Sequence, residues 1–189
     1  VAALAPHKDH ATLLGAAAVV AAQRPDVHFA WVGEGECRAA LERRRAELGL
    51  ERRVHLLGFR EDARGLLAQF TVFALSSHLE GLCTSLLDAQ ALGVPVVATA
   101  VGGVPDVVED GRTGRLVPAR DPEALARALR EALERPDERR RWAAAALESV
   151  RGFDVARMVE RTLAEYEAVL WGLRAALAAN LVTTPAALL

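Results

Sequence analysis

A chain of 189 residues is long enough to form one domain with a sizeable core. Its 52% hydrophobic and 25% charged residues exclude the disordered class, and a net charge of −2 supplies no bulk field for nucleic acid or an anionic membrane surface. Nucleic acid is therefore not an expected partner, and any phosphate site has to be a local arrangement.

The opening Val1-Ala2-Ala3-Leu4-Ala5 reads as a buried strand, so the sequence is expected to start inside an element, with more chain upstream. Further strands are predicted near 27–32, 54–58, 71–75, 94–99 and 114–117, with helices between most of them. That alternation predicts an α/β fold, a Rossmann-like parallel sheet of about six strands flanked by helices. Val27–Val32 and Val94–Ala98 are apolar on both faces, as strands covered on both sides are. Cys37, Leu41, Arg44 and Leu48 predict a surface helix that stops at Gly49. Asp121-Pro122 is a helix start, because the carboxylate accepts from free amides and proline loses no bond in the first turn. The last third is expected to be helical: Leu125, Leu129 and Leu133 share a face, Pro136 breaks the run, and Asp154 opens a long helix. That helix aligns Tyr166, Leu170, Leu173 and Leu177. Trp142, Phe153 and Tyr166 are expected in the core, whereas Trp171 is expected on a face left open.

Two cysteines without a CxxC spacing, Cys37 and Cys83, read as the reduced thiols of a cytoplasmic protein. The longest apolar run, Leu13–Ala22, is about half the roughly 20 residues of a spanning helix. His7, His10 and His78 lack a further ligand at metal-binding spacing, so no metal is expected. Gly33-Glu34-Gly35 follows a strand, but Arg38 stands where a dinucleotide fingerprint needs its third glycine.

The chemistry is expected in the loop Ser76–Cys83 and the helix predicted from Thr84 to before Gly93. Ligands of open α/β sheets bind at the carboxyl ends of the strands, and a helix start offers free amides and a positive dipole end to a phosphate. Gly81 lets backbone approach a ligand, and Asp88 lies one helical turn past Thr84, within reach of vicinal hydroxyls. By spacing alone, Glu80 and Asp88 are more readily two solvated acids flanking a helix start.

Several elements together resemble the retaining family-four glycosyltransferases of the GT-B class: Lys8, Gly33-Glu34-Gly35, Gly58-Phe59, Glu80-Gly81, Gly93–Ala98 and Gly102-Gly103, in that order over about Val1–Tyr166. The resemblance implies that Glu80 is the first acid of an E-x7-E motif, the catalytic residue that contacts the donor sugar and supports charge at its anomeric carbon. Asp88 falls on the second acid, which grips the ribose, with one methylene fewer than the usual glutamate. The backbone of Gly81, Leu82, Cys83, Thr84 and Ser85 would hold sugar and diphosphate, and Lys8 would neutralise the diphosphate. The family's companion arginine is absent from Val1–His7. Gly33, Gly58, Phe59 and Arg60 join the donor-binding set, with the base held near Gly58–Arg60. Gly102-Gly103 with Pro105-Asp106 resembles the family's GGxxE turn, with aspartate for glutamate.

The resemblance further implies hexosyl transfer from a nucleoside-diphosphate sugar of UDP, GDP or ADP type, without a cofactor. Residues 1–166 would be the donor-binding half, and residues 167–189 a terminal helix and tail that packs on an N-terminal acceptor domain or a partner. Membrane association is expected only through that other half, and residues 1–189 alone should be weakly active or inactive. The alternatives are a nucleotide-sugar-binding module without turnover and a sugar-nucleotide 2-epimerase of the same fold.

Overall fold

The structure, a computed structural model, describes the backbone of residues 1–182 and the side chains of residues 1–173. The chain divides into two units, Val1–Arg151 and Gly152–Leu189.

The first unit alternates strands and helices in the order α1 (His10–Gln23), β1 (Phe29–Val32), α2 (Arg38–Glu47), β2 (Val54–Gly58), α3 (Ala63–Leu67), β3 (Phe73–Leu75), α4 (Thr84–Ala91), β4 (Val96–Thr99), α5 (Val104–Val107), β5 (Arg115–Val117), α6 (Pro122–Glu134) and α7 (Pro136–Ser149). All strand pairing within these elements is parallel, as expected for strands joined by helical crossovers. Asp9 caps α1 by accepting from the Thr12 amide at 3.2 Å, and Asp121 caps α6 by accepting from Ala124 at 2.8 Å. Gly49, just past α2, takes the left-handed φ of +65°.

Among the described residues the strands number five rather than about six, and they form two sheets, β1-β2 and β3-β4-β5. The missing one is the strand predicted at residues 1–5. These residues lie at and past the carboxyl end of β1, where Ala2 N–H donates to Val32 O and Leu4 N–H to Glu34 O. Two bonds at a strand's end make an extended tether, not a ladder, before the 3-10 turn Pro6–Lys8.

β4 shows why the sheet needs helices on both faces: all four of its residues are buried. Val97 packs into one layer with Leu14, Val20, Trp31, Val54, Leu125 and Trp142. Val96 and Ala98 pack into the other, with Phe73, Leu75, Cys83, Leu86 and Val104. β1 is less covered than predicted, with Phe29 and Ala30 only half-buried.

The second unit carries α8 (Val155–Val182), opened by Asp154, whose carboxylate accepts from the Arg157 amide at 2.8 Å. Trp171 is exposed as expected, but Phe153 and Tyr166, expected in the core, are exposed as well. Among the described residues of that unit, a turn and one helix do not cover them. The Leu177 side chain and residues 183–189 lie outside the described residues. No described helix is long and apolar enough to cross a membrane.

Candidate functional site

The loop after β3 and the tether before α1 meet at the carboxyl edge of the strands. Lys8 is positioned by backbone: Ser76 Oγ donates to Lys8 O at 2.9 Å, and His78 N–H donates to His7 O at 2.9 Å. Asp9, with a left-handed φ of +45°, then turns the chain away into α1. Lys8 Nζ donates to Glu80 Oε1 at 2.5 Å, and Ser77 Oγ donates to the same oxygen at 2.6 Å. The Glu80 side chain is only 6% exposed and that of Lys8 16%, so this ion pair is largely withdrawn from water. Behind it, Thr99 Oγ1 at the end of β4 donates to Ser77 O at 2.5 Å.

Beside this cluster α4 begins at Thr84, as predicted. Its start carries no side-chain cap, which leaves first-turn amides for a ligand. Cys83 contributes backbone there while its side chain is buried in the core, and burial pushes its thiol pKa up. A Cβ on Gly81 would meet nothing within 4 Å, so the loop is open at that point. Leu82 is exposed. Gly102, at φ +50°, closes against the other side, where a Cβ would come within 1.8 Å of Glu80 O. Gly103 lies close to Gly81, though less tightly, since its Cβ would stand 2.7 Å from Gly81 O. The Gly102-Gly103 turn is thus the floor under the Glu80–Gly81 backbone.

Asp88 pairs with Arg64 of α3 at 3.4 Å, with side chains 40% and 70% exposed, a weak surface contact. Gly33 N–H donates to Gly58 O at 2.8 Å, and a Cβ on Gly33 would stand 1.9 Å from Ala2 O. Gly33 therefore lets three carboxyl-edge segments pack closely, the tether that carries Lys8 among them. Phe59 is 74% exposed, and Arg60 is engaged by Asp62 in two bonds of 2.8 Å that hold the Asp62 carboxyl below its usual range.

Lys8, Ser77 and Glu80 thus converge, whereas Asp88 pairs with Arg64. Sequence reasoning missed Ser77 and Arg64. Ser77 had a signal, three residues before Glu80 in the same loop. Arg64 had none, because only the packing of α3 beside α4 brings it to Asp88. Among the described residues, no group of three or more His, Cys, Asp or Glu side chains is placed to hold a metal ion.

His10, the first residue of α1, packs against Trp31 with ring centroids 5.2 Å apart, and its Nδ1 is buried without a partner. Burial, with the nearby Lys8 ammonium, lowers its pKa to about 4. Between pH 6.5 and 4 the unfolded chain binds a proton that the folded chain refuses, so stability falls as pH drops through that window. The expected loss is about 2 to 3 kcal/mol, complete near pH 4 and absent above pH 7. Denaturant titrations of the wild type and His10→Phe at pH 7.5, 5.5 and 4 check this, since the variant should lack that part of the slope.

The family description Glycosyl transferases group 1 matches residues 1–149. The D-inositol 3-phosphate glycosyltransferase of Nocardioides sp. is 44% identical over 99 residues, covering 52% of this chain and 22% of that protein. The crystal structure of Anabaena HepE in complex with UDP superposes with a TM-score of 0.80 at 28% identity, covering 89% of this chain and 47% of that one. The C-terminal domain of the glycosyl transferase group 1 family protein LpcC from Francisella tularensis shares the fold, with a TM-score of 0.73 at 23% identity, covering 81% of this chain and 83% of that one. The chain spans about a fifth of the length of the Nocardioides relative and about half of HepE. With a match over most of its length and Lys8, Glu80 and the α4 start gathered at one edge, the chain belongs to the Glycosyl transferases group 1 family.

Proposed function

We propose that this chain is the donor-binding half of a retaining glycosyltransferase, which moves a sugar from a nucleoside diphosphate to an acceptor held by another domain. The observation that carries the reading is the largely buried Lys8–Glu80 pair beside the uncapped start of α4. A diphosphate at that helix start meets free amides from Gly81 to Ser85 and competes with Glu80 for the Lys8 ammonium. Glu80, held by Ser77, then faces charge that develops at the anomeric carbon. The bond from that carbon to the diphosphate oxygen breaks, the acceptor oxygen takes its place on the same face, and the acceptor's proton leaves with the diphosphate. No cofactor takes part. The UDP complex of HepE favours UDP over GDP or ADP as the nucleotide. The terminal helix α8 and the tail after it serve to pack on an N-terminal acceptor domain or a partner. The free thiols of Cys37 and Cys83 fit a cytoplasmic location.

Melting curves of the full-length protein test this. UDP at a hundred times its Kd should add about 2.7 kcal/mol of stability. If UDP, GDP and ADP and their sugars all leave the melting temperature unchanged, the donor-site reading fails.

Asp88 gives a separate expectation. If it accepts from ribose hydroxyls, Asp88→Ala should weaken nucleotide binding by about tenfold, the worth of one charged hydrogen bond, with little change in transfer at saturating donor. Titration calorimetry beside saturation kinetics measures both. An unchanged Kd would return Asp88 to a surface partner of Arg64.

A further inference from the structure

Three buried hydroxyls stand at the carboxyl ends of β3 and β4, those of Ser76, Ser77 and Thr99. A hydroxyl has a single proton to donate, and each of these goes to a group of the site. Ser76 Oγ donates to Lys8 O, Ser77 Oγ to Glu80 Oε1, and Thr99 Oγ1 to Ser77 O. Ser76 therefore fixes the backbone that carries the lysine, and Ser77 fixes the carboxylate.

Thr99 donates to neither charged group, yet the placement of Glu80 depends on it. The ladder between β3 and β4 ends at Leu75 and Ala98, so Ser77 lies two residues past the last pair. There the Thr99 hydroxyl, 2.5 Å from Ser77 O, ties the Ser77 backbone to β4 as a strand amide does within the ladder. Thr99 is itself held from the other side, where it pairs with Val117 of β5. Its carbonyl accepts from Val101 N–H at 3.0 Å, at the entry to the Gly102-Gly103 turn. One residue of a buried strand thus anchors both the loop that bears Glu80 and the turn beneath that loop. Among the described residues, both donors to the Glu80 carboxylate fall on Oε1, which leaves Oε2 for a ligand.

We propose that Thr99 is a positioning residue for sugar transfer: through Ser77 it holds Glu80 Oε1 and presents Oε2 to the donor sugar. The inference rests on the donor-site reading above. A displacement of about 1 Å in a reacting group costs about a hundredfold in rate, so loosening this loop acts on turnover. Nucleotide binding is spared, because Ser76 still anchors Lys8 and α4 stays packed in the core through Leu86 and Ala89.

Thr99→Val in the full-length protein keeps the shape of the side chain and removes its donor. It should lower kcat about tenfold or more, while KM for the sugar nucleotide and the Kd of UDP change by less than about twofold. Thr99→Ser keeps the hydroxyl and should restore most of the wild-type kcat. In a Glu80→Ala background, Thr99→Val should bring no further loss, since the group it positions is gone. A role in stability alone would lower the melting temperature and slow both backgrounds by the same factor, and that result overturns the proposal. So does a Thr99→Val kcat within about twofold of wild type. Should Thr99→Val fail to fold, Ser77→Ala cuts the next bond in the same line and decides in its place: it must show the same split and the same dependence on Glu80, and a wild-type kcat overturns the proposal. A wild type that binds none of UDP, GDP or ADP and transfers no sugar fails the donor-site reading itself. Normal binding and transfer in both wild type and Thr99→Val fail only the role of Thr99.

Discussion

Replacing Glu80 by alanine in the full-length protein is expected to lower sugar transfer about a hundred- to a thousandfold while changing nucleotide affinity by less than about threefold. The asymmetry follows from what Glu80 touches. Its carboxylate binds Lys8 Nζ and Ser77 Oγ and is almost fully buried, so it can act on a reacting centre in a low-dielectric site. Removing it frees the Lys8 ammonium for the diphosphate, which supports nucleotide binding even as the transition state loses its charge partner. It also strands a partly buried cation, and breaking such a pair typically costs about 3 to 5 kcal/mol of stability. Glu80→Gln separates the two effects, because the amide oxygen can still accept from Ser77 and Lys8. The glutamine variant should fold with a near-native melting temperature and still transfer slowly. Equal losses in affinity and turnover would mean that Glu80 holds the donor in place and does nothing further.

The second large effect is expected at Gly102. Its φ of +50° is a left-handed conformation, and a Cβ would stand 1.8 Å from Glu80 O, far inside contact distance. The obstacle is backbone rather than a flexible side-chain tip, so the turn or the Glu80 loop has to move. Gly102→Val is expected to cost about 3 kcal/mol or more, from the left-handed penalty of a β-branched residue and the overpacking together. Gly102→Ala should cost less but displace Glu80 from Lys8, and transfer should fall further than stability does. Urea titrations and initial rates on both variants measure this, and native activity in Gly102→Ala would show that the floor under Glu80 is soft. Gly103, without the left-handed φ, still comes close to Gly81 O at 2.7 Å, so the paired glycines act as one spacer.

Local signals in the sequence were sufficient for most elements. The strand at Val54–Gly58 matches its predicted span, α4 starts at Thr84, and Asp121 and Asp154 cap the helices they were expected to open. Capping and hydrophobic period act over a few residues, which is why they are readable without the fold. Membership of the glycosyltransferase family was legible for the same reason, since its glycines, Lys8 and Glu80 recur in order along the chain. Tertiary packing alone decided the rest. The strand expected at Val1–Ala5 proved to be a tether, because whether an apolar segment pairs depends on which edge it reaches. Lys8 and Glu80, 72 positions apart, were assigned to diphosphate and sugar separately; the fold makes them one ion pair with Ser77 and places Gly102-Gly103 beneath it. Arg64 reaches Asp88 only through helix packing. The sequence by itself thus determined which groups the site contains and the elements that carry them. Only the tertiary structure decided which of those groups touch, because contacts between distant strands and loops are set at the sheet's carboxyl edge, where no local period reaches.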